Sequence, residues 1–377
     1  MTPYTSKLTR VFDPGPTSVR YANILEALFD AQVNAGIIAG PSSDLVRRVR
    51  IREEEWAQRT DEIRHETAAW VDLWRQRQPE HIRPQTYLGL TSSNLIDTSF
   101  AMALYRYRDG LAAELVNLAR ELRQVASTMK NLTREGRTHG QWAAPVPRSA
   151  TYLRYAHRAD HLARSWWSRT VPAALHGPTG HPTPAITREV LGEVSQALGG
   201  IHWDPHPTQV ADRWSRSDLH TLLYQTTALC SAIATFHRLE ALPEINRFSE
   251  SFEVGTHKGS SSMPHKNNPA RSERICGLTR VARGHLMALL ETTADAWWER
   301  DLTNSSVERV AERGLLDLAG LAVTETLDIL RTADFRQTES APLPPQCFTH
   351  HELVSRAMKG EDPEQTYREI QERNLNG

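Results

Sequence analysis

Four segments of this chain gather side chains that could do chemistry. Residues 255–273 read GTHKGSSSMPHKNNPARSE, with three serines after a glycine, two lysines, two histidines and a methionine ahead of a helical pattern from Ala270. Hydroxyl, ammonium and amide groups on one polar loop could close over a substrate together, although most Ser/Gly/Pro loops do no chemistry. Gly136-Arg137-Thr138-His139-Gly140-Gln141 falls in what reads as a long helical region. Two glycines would weaken a helix by about 1 kcal/mol each. They make sense if backbone approaches a ligand and His139 projects into a cleft. Gly89-Leu90-Thr91-Ser92-Ser93-Asn94 precedes a helix, where hydroxyls cap and free N–H groups form a ready carboxylate site. Arg64-His65-Glu66, inside a helical pattern, would alone read as solvated surface.

The elements that must position these groups are helices. No proline lies between Pro84 and Pro145, between Pro207 and Pro243, or between Pro269 and Pro342. Such gaps suit long helices, because an internal proline costs about 3 kcal/mol. Within them, Leu104, Leu111, Leu115, Leu118, Leu122 and Val125 recur at helical spacing, as do Leu219, Leu222, Leu223, Thr226, Leu229, Ile233 and Phe236. Hairpin signals of the Asn-Gly type are almost absent, so the chain is expected to be mostly α. Helical patterns at 21–35 and 43–77, the latter with a start at Pro41-Ser42-Ser43-Asp44, suggest an N-terminal unit over 1–90. A long-helix bundle is expected over 91–325, interrupted by a loop at 176–186, and a small polar unit over 326–377 after Pro342, Pro344 and Pro345.

Composition narrows the function classes. Lys and Arg number 44 against 45 Asp and Glu, a balance that argues against a nucleic-acid or membrane-surface binder. No apolar stretch is long enough to span a bilayer, and the first fifteen residues lack the apolar core of a signal peptide. Three scattered cysteines form no CxxC, which fits a reducing cytoplasm. No P-loop, GxGxxG or metal-type Cys/His spacing is found, so neither a cofactor nor a metal is expected.

Taken together and in this order, the segments resemble the aspartase/fumarase superfamily, which includes argininosuccinate lyase and adenylosuccinate lyase. GSSSMPHKNNP looks like its signature loop. TYLGLTSSNLIDT, GRTHGQ, PTQV and WWERDLTNSSVERV look most like the adenylosuccinate lyase branch, and the likeness covers about residues 22–330. The resemblance implies an all-α, three-domain fold with a long central bundle, a twenty-helix core in a homotetramer, and active sites shared between subunits. It also implies a small-molecule substrate, from which a C–N or C–O bond β to a carboxylate is broken and fumarate leaves.

That reaction must remove a weakly acidic C–H proton, stabilise a dianionic carbanion and protonate the leaving nitrogen. By resemblance, Ser260 is the base, its alkoxide supported by loop N–H groups and by Lys266, which pairs with Asn268 to bind carboxylate. His139 matches the general acid, Glu273 its orienting partner and His65 a second histidine beside it. Thr91 and Ser92 match hydroxyls that hold the succinyl carboxylates, Gln209 a substrate-contacting glutamine. Arg64 and Glu66, flanking His65, are carried as substrate-binding candidates. Arg300, Ser305 and Arg309 match residues that hold a nucleotide phosphate, and guanidinium forks suit an oxyanion. Their bland reading is a surface helix start capped by Ser305 or Ser306.

Departures from the branch fall in the leaving-group half of the site. No Arg-Tyr pair opens the chain, Tyr87 stands where a histidine is usual, and Asn94 replaces an aspartate. The chain also ends within ten residues of Thr366-Tyr367-Arg368, where relatives continue. The first expectation is therefore a lyase acting on adenylosuccinate or a related succinyl-nucleotide. The alternatives are a specialised lyase for another aspartate-derived amine or N–N/N–O compound, a cycloisomerase-like relative, and a non-catalytic paralogue.

Overall fold

The structure, a computed structural model, describes residues 4–250, Met263, 267–336 and 342–375. The chain is mostly helical, as the proline spacing predicts. In order, the elements are α1 (Pro14–Asn34), α2 (Glu53–Ile63), α3 (Glu66–Gln76), α4 (Ser92–Thr128), β1 (Thr133–Thr138), β2 (Gln141–Pro147), α5 (Ser149–Trp167), α6 (Arg188–Ala197), α7 (Arg213–Glu240), β3 (Phe248–Ser249), α8 (Ala270–Ala294), α9 (Thr303–Val307), a π-helical turn (Glu308–Glu312), α10 (Arg313–Thr332), β4 (Asp334–Phe335), α11 (Thr349–Ala357) and α12 (Pro363–Leu375). Among the described residues, no helix is long and apolar enough to cross a membrane.

The chain divides into two compact units. One comprises Met1–Leu115, Leu162–Ser231 and Cys276–Thr324, the other Val116–His161, Ala232–Ile275 and Glu325–Gly377. Helices α4, α5, α7, α8 and α10 contribute residues to both.

In the first unit, α1 begins ahead of Tyr21 because Pro14 sits in its first turn, where a missing N–H is harmless. The expected single helix over 43–77 is instead a short 3-10 turn at Ser42–Asp44 followed by α2 and α3. The break falls at Arg64, which is left-handed (φ 57°), and at His65, whose ring accepts from the Ala68 N–H at 3.3 Å and caps α3. Neither Gly nor Pro marks that break. The core below is aromatic: Trp70 stacks on Trp74 at 6.3 Å, meets Tyr21 edge-on at 5.3 Å and donates its indole N–H to Ser18 at 2.7 Å. Residues 176–186 are irregular, as expected.

The second unit holds the main departure from the helical expectation. Residues 133–147 form an antiparallel hairpin, with Thr138 opposite Gln141 and His139-Gly140 as its two-residue turn. Both turn residues have positive φ (53° and 77°), the pairing a primed turn needs to match strand twist. The strands slip register between Arg134 and Gly136, and a Cβ on Gly136 would lie 2.3 Å from the Ala144 carbonyl oxygen. Both glycines therefore serve a ribbon. Nearby, the His237 ring stacks on Phe248 at 4.3 Å, with Phe335 and Tyr152 around it.

Candidate functional site

In the first unit, hydrogen bonds chain several expected site residues together. Thr91 precedes α4, and both its N–H and its hydroxyl donate to the Asn94 side-chain oxygen, at 2.9 and 3.2 Å. The buried Asn94 amide donates to the Ala174 carbonyl at 3.2 Å and the Gln209 carbonyl at 3.4 Å. The Gln209 N–H donates to the Glu299 carbonyl at 3.0 Å, next to Arg300. The Gln209 side chain donates to the Pro178 carbonyl at 3.1 Å. An aspartate at position 94 could accept from Thr91 but not donate to either carbonyl. The departure noted in the sequence thus has a local reason.

Arg300, Ser305 and Arg309 line one cavity of about 150 Å³. Arg300 donates to the Asn304 side chain at 2.6 Å and to the Asp301 carbonyl, and it forms no ion pair with a carboxylate among the described residues. Burial, then the neighbouring Arg213, push its pKa down, so an arriving anion would relieve an unfavourable cation. Ser305 lies inside α9 rather than at its start, and Asp301 accepts from the Thr303 N–H at 2.9 Å. The capping alternative for Ser305 and Ser306 is thereby removed. Arg309 reaches Glu66 at 3.6 Å, which joins the Arg64-His65-Glu66 triplet to this cavity's rim. Arg64 itself is exposed and lies 3.9 Å from Asp61.

The same cavity is lined by Asp97, Arg213, Arg216, Glu308 and Glu312, which form a largely buried charge network that sequence reasoning missed. Asp97 of α4 meets Arg213 at 3.2 Å and Arg216 at 2.8 Å; Glu308 meets Arg213 at 2.7 Å and Arg216 at 3.2 Å. Glu312 meets Arg216 at 3.4 Å and His220 at 2.8 Å. Burial pushes the Asp97 carboxyl up, but Arg213 and Arg216 outweigh it and hold it below the usual range. Glu312 is held low in the same way by Arg216 and His220, against its own burial. The π-turn presents both Glu308 and Glu312 to the α7 arginines. The only sequence signal was charge at i,i+4 and i,i+3 spacing, which ordinarily marks a wet face.

In the second unit, the hairpin turn leaves His139 exposed. Asn268 and Glu273 line a groove of about 860 Å³. Glu250, buried, caps α8: it accepts from the Arg271 N–H at 2.9 Å, the Ser272 N–H at 2.9 Å and the Ser272 hydroxyl at 2.6 Å. That carboxylate satisfies the free N–H groups ahead of Glu273. Asn267 donates to the Ser249 hydroxyl at 2.7 Å and the Glu250 carbonyl at 2.9 Å. No hydrogen bond joins His139 to Glu273 within the chain, among the described residues. Ser260 and Lys266 lie outside the described residues.

Comparison with known proteins supplies the class. The lyase family model matches residues 56–284. Adenylosuccinate lyase of Synechocystis sp. is 32% identical over 314 residues, covering 81% of this chain and 70% of that protein. Adenylosuccinate lyase of Methanothermobacter thermautotrophicus is 31% identical, covering 81% and 69%. In fold, a fumarate lyase from Mesorhizobium sp. BNC1 superposes with a TM-score of 0.83 at 16% identity, over 97% of this chain and 85% of that one. The chain belongs to the lyase family of the aspartase/fumarase superfamily. Within it, the chain is similar to the adenylosuccinate lyases, and it is an enzyme of the lyase class.

Proposed function

We propose that this protein eliminates fumarate from an N-succinyl, aspartate-adduct substrate whose leaving amine carries a phosphate: adenylosuccinate or a related succinyl-nucleotide. The observation that carries this reading is the cavity lined by Arg300, Ser305 and Arg309, with an Arg300 guanidinium that forms no ion pair with a carboxylate among the described residues. The similarity to adenylosuccinate lyases over 81% of the chain supports it. In this reading Thr91 and Ser92, at the N-terminus of α4, grip the succinyl carboxylates through hydroxyls and a positive helix end. Asn268 and Lys266 bind carboxylate, Ser260 removes the carbon-bound proton, and His139, oriented by Glu273, protonates the departing nitrogen. His65 acts as a second catalytic histidine, and Gln209, Arg64 and Glu66 complete the substrate contacts. The exposure of His139 and Glu273, with no hydrogen bond between them in one chain, supports a homotetramer whose active sites are completed by other copies.

Incubation with adenylosuccinate should release fumarate, followed by absorbance, and light scattering should give the mass of a tetramer. His139→Ala and Ser260→Ala should each lower turnover about 10²–10⁴-fold with an unchanged helical CD spectrum. Fumarate from a different succinylated amine, and none from adenylosuccinate, would refute the nucleotide assignment. Full activity in either variant would refute that residue's role.

A further inference from the structure

We propose that Trp297 and Trp298 form a platform for a flat aromatic leaving group and set the leaving-group preference of the site; this rests on the phosphate-holding reading of Arg300 above. A second cavity of about 440 Å³ in the first unit is lined by Trp214, Trp297 and Trp298, and it shares Arg213, Arg300 and Asn304 with the oxyanion cavity. A phosphate held at Arg300 therefore places the rest of its molecule at the mouth of a tryptophan-lined space. The indoles are unusually open, with Trp297 66%, Trp214 68% and Trp298 84% exposed. No ring contact or indole hydrogen bond engages any of the three among the described residues.

Tryptophan normally buries most of its large apolar surface, so three such residues around one cavity mark a surface that gains by being covered. Trp298 also sits at φ 51°, a left-handed conformation that bulky side chains rarely adopt and that concentrates at ligand clamps. It lies two residues before Arg300, so this backbone bend ties the indole to the guanidinium. Indole faces stack on any flat heteroaromatic ring without reading its edges. The platform would thus favour a planar aromatic body over an aliphatic amine, and would discriminate little between ring substituents.

The test is calorimetric titration of AMP, ribose 5-phosphate and inorganic phosphate into the wild-type protein, Trp297→Ala, Trp298→Ala and Arg300→Gln. Wild type should prefer AMP to ribose 5-phosphate, and each tryptophan variant should lose about ten- to hundred-fold in AMP affinity with ribose 5-phosphate unchanged. Arg300→Gln should weaken all three ligands. Equal wild-type affinity for AMP and ribose 5-phosphate, or equal losses for both, overturns the platform and leaves the phosphate grip standing. A wild-type protein that binds none of the three overturns both readings. A smaller sedimenting mass for Trp298→Ala at unchanged AMP affinity assigns the indoles to contacts between copies, and likewise overturns the platform.

Discussion

At His237 a fully buried imidazole lies face to face with Phe248, and among the described residues neither ring nitrogen has a hydrogen-bond partner. Burial pulls its pKa from 6.5 down to about 3. The unfolded chain therefore takes up a proton that the folded chain refuses between those values, and stability falls as pH drops through that window, by up to about 1.4 kcal/mol per pH unit. His237→Phe should flatten that slope and raise stability near neutral pH, read by urea melts across the window; an unchanged slope would show that other groups set it. Residues of this kind are invisible in sequence, since nothing near position 237 announces its partners at 248 and 335. The same holds for Asn94. Its motif is contiguous and readable, but its two carbonyl partners come from residues 174 and 209. By contrast, Arg300, Ser305 and Arg309 fall within ten residues of one another, so the sequence alone groups them, and all three line one cavity.

Elements follow the same rule. Helices α4, α7, α8 and α10 lie in the proline-free stretches, and their apolar repeats are local signals that survive without any knowledge of the fold. The hairpin over 133–147 escaped because its turn is His-Gly rather than Asn-Gly, and its strands are short and polar at one end. Its glycines read as weak points of a helix, whereas they serve a strand and a turn. Gly136→Ala would press a methyl against the Ala144 carbonyl. It should destabilise the protein by about 1–3 kcal/mol and displace the turn that carries His139, so turnover should fall along with the melting temperature. A variant with wild-type melting would mean that the ribbon relaxes at no cost. The split between α2 and α3 was likewise unreadable, since an arginine in a left-handed conformation has no sequence signature.

At the scale of the whole molecule, a nearly neutral composition hides where the charges are. Six charged or chargeable groups, Asp97, Arg213, Arg216, His220, Glu308 and Glu312, are withdrawn into one network that neither net charge nor periodicity reports. Arg216, 2% exposed, touches three carboxylates and lies over the Phe100 ring at 4.2 Å. Arg216→Leu should cost about 3–5 kcal/mol by taking one cationic partner from each of those three carboxylates. Asp97 and Glu312, now held low, would then titrate upward, so the variant's deficit should shrink as pH falls toward the carboxylate range. Denaturant melts at two pH values check this, and a deficit independent of pH would show that lost packing dominates. The family was legible because its motifs are contiguous; the buried wiring between them was not.

The π-turn that supplies Glu308 and Glu312 holds one residue more than the α-helical turn it interrupts. Loss of a single codon there, at the exposed Val310 for instance, would let α9 and α10 fuse into one uninterrupted rod. The helix on either side would keep its phase, because the deleted residue is the one the wider turn absorbs, but the widened turn that aims Glu308 and Glu312 together at the α7 arginines would be gone. A one-residue deletion there would thus spare the rod and its neighbours and unsettle only the paired charges, which makes the bulge a local insertion that the rest of the fold does not depend on.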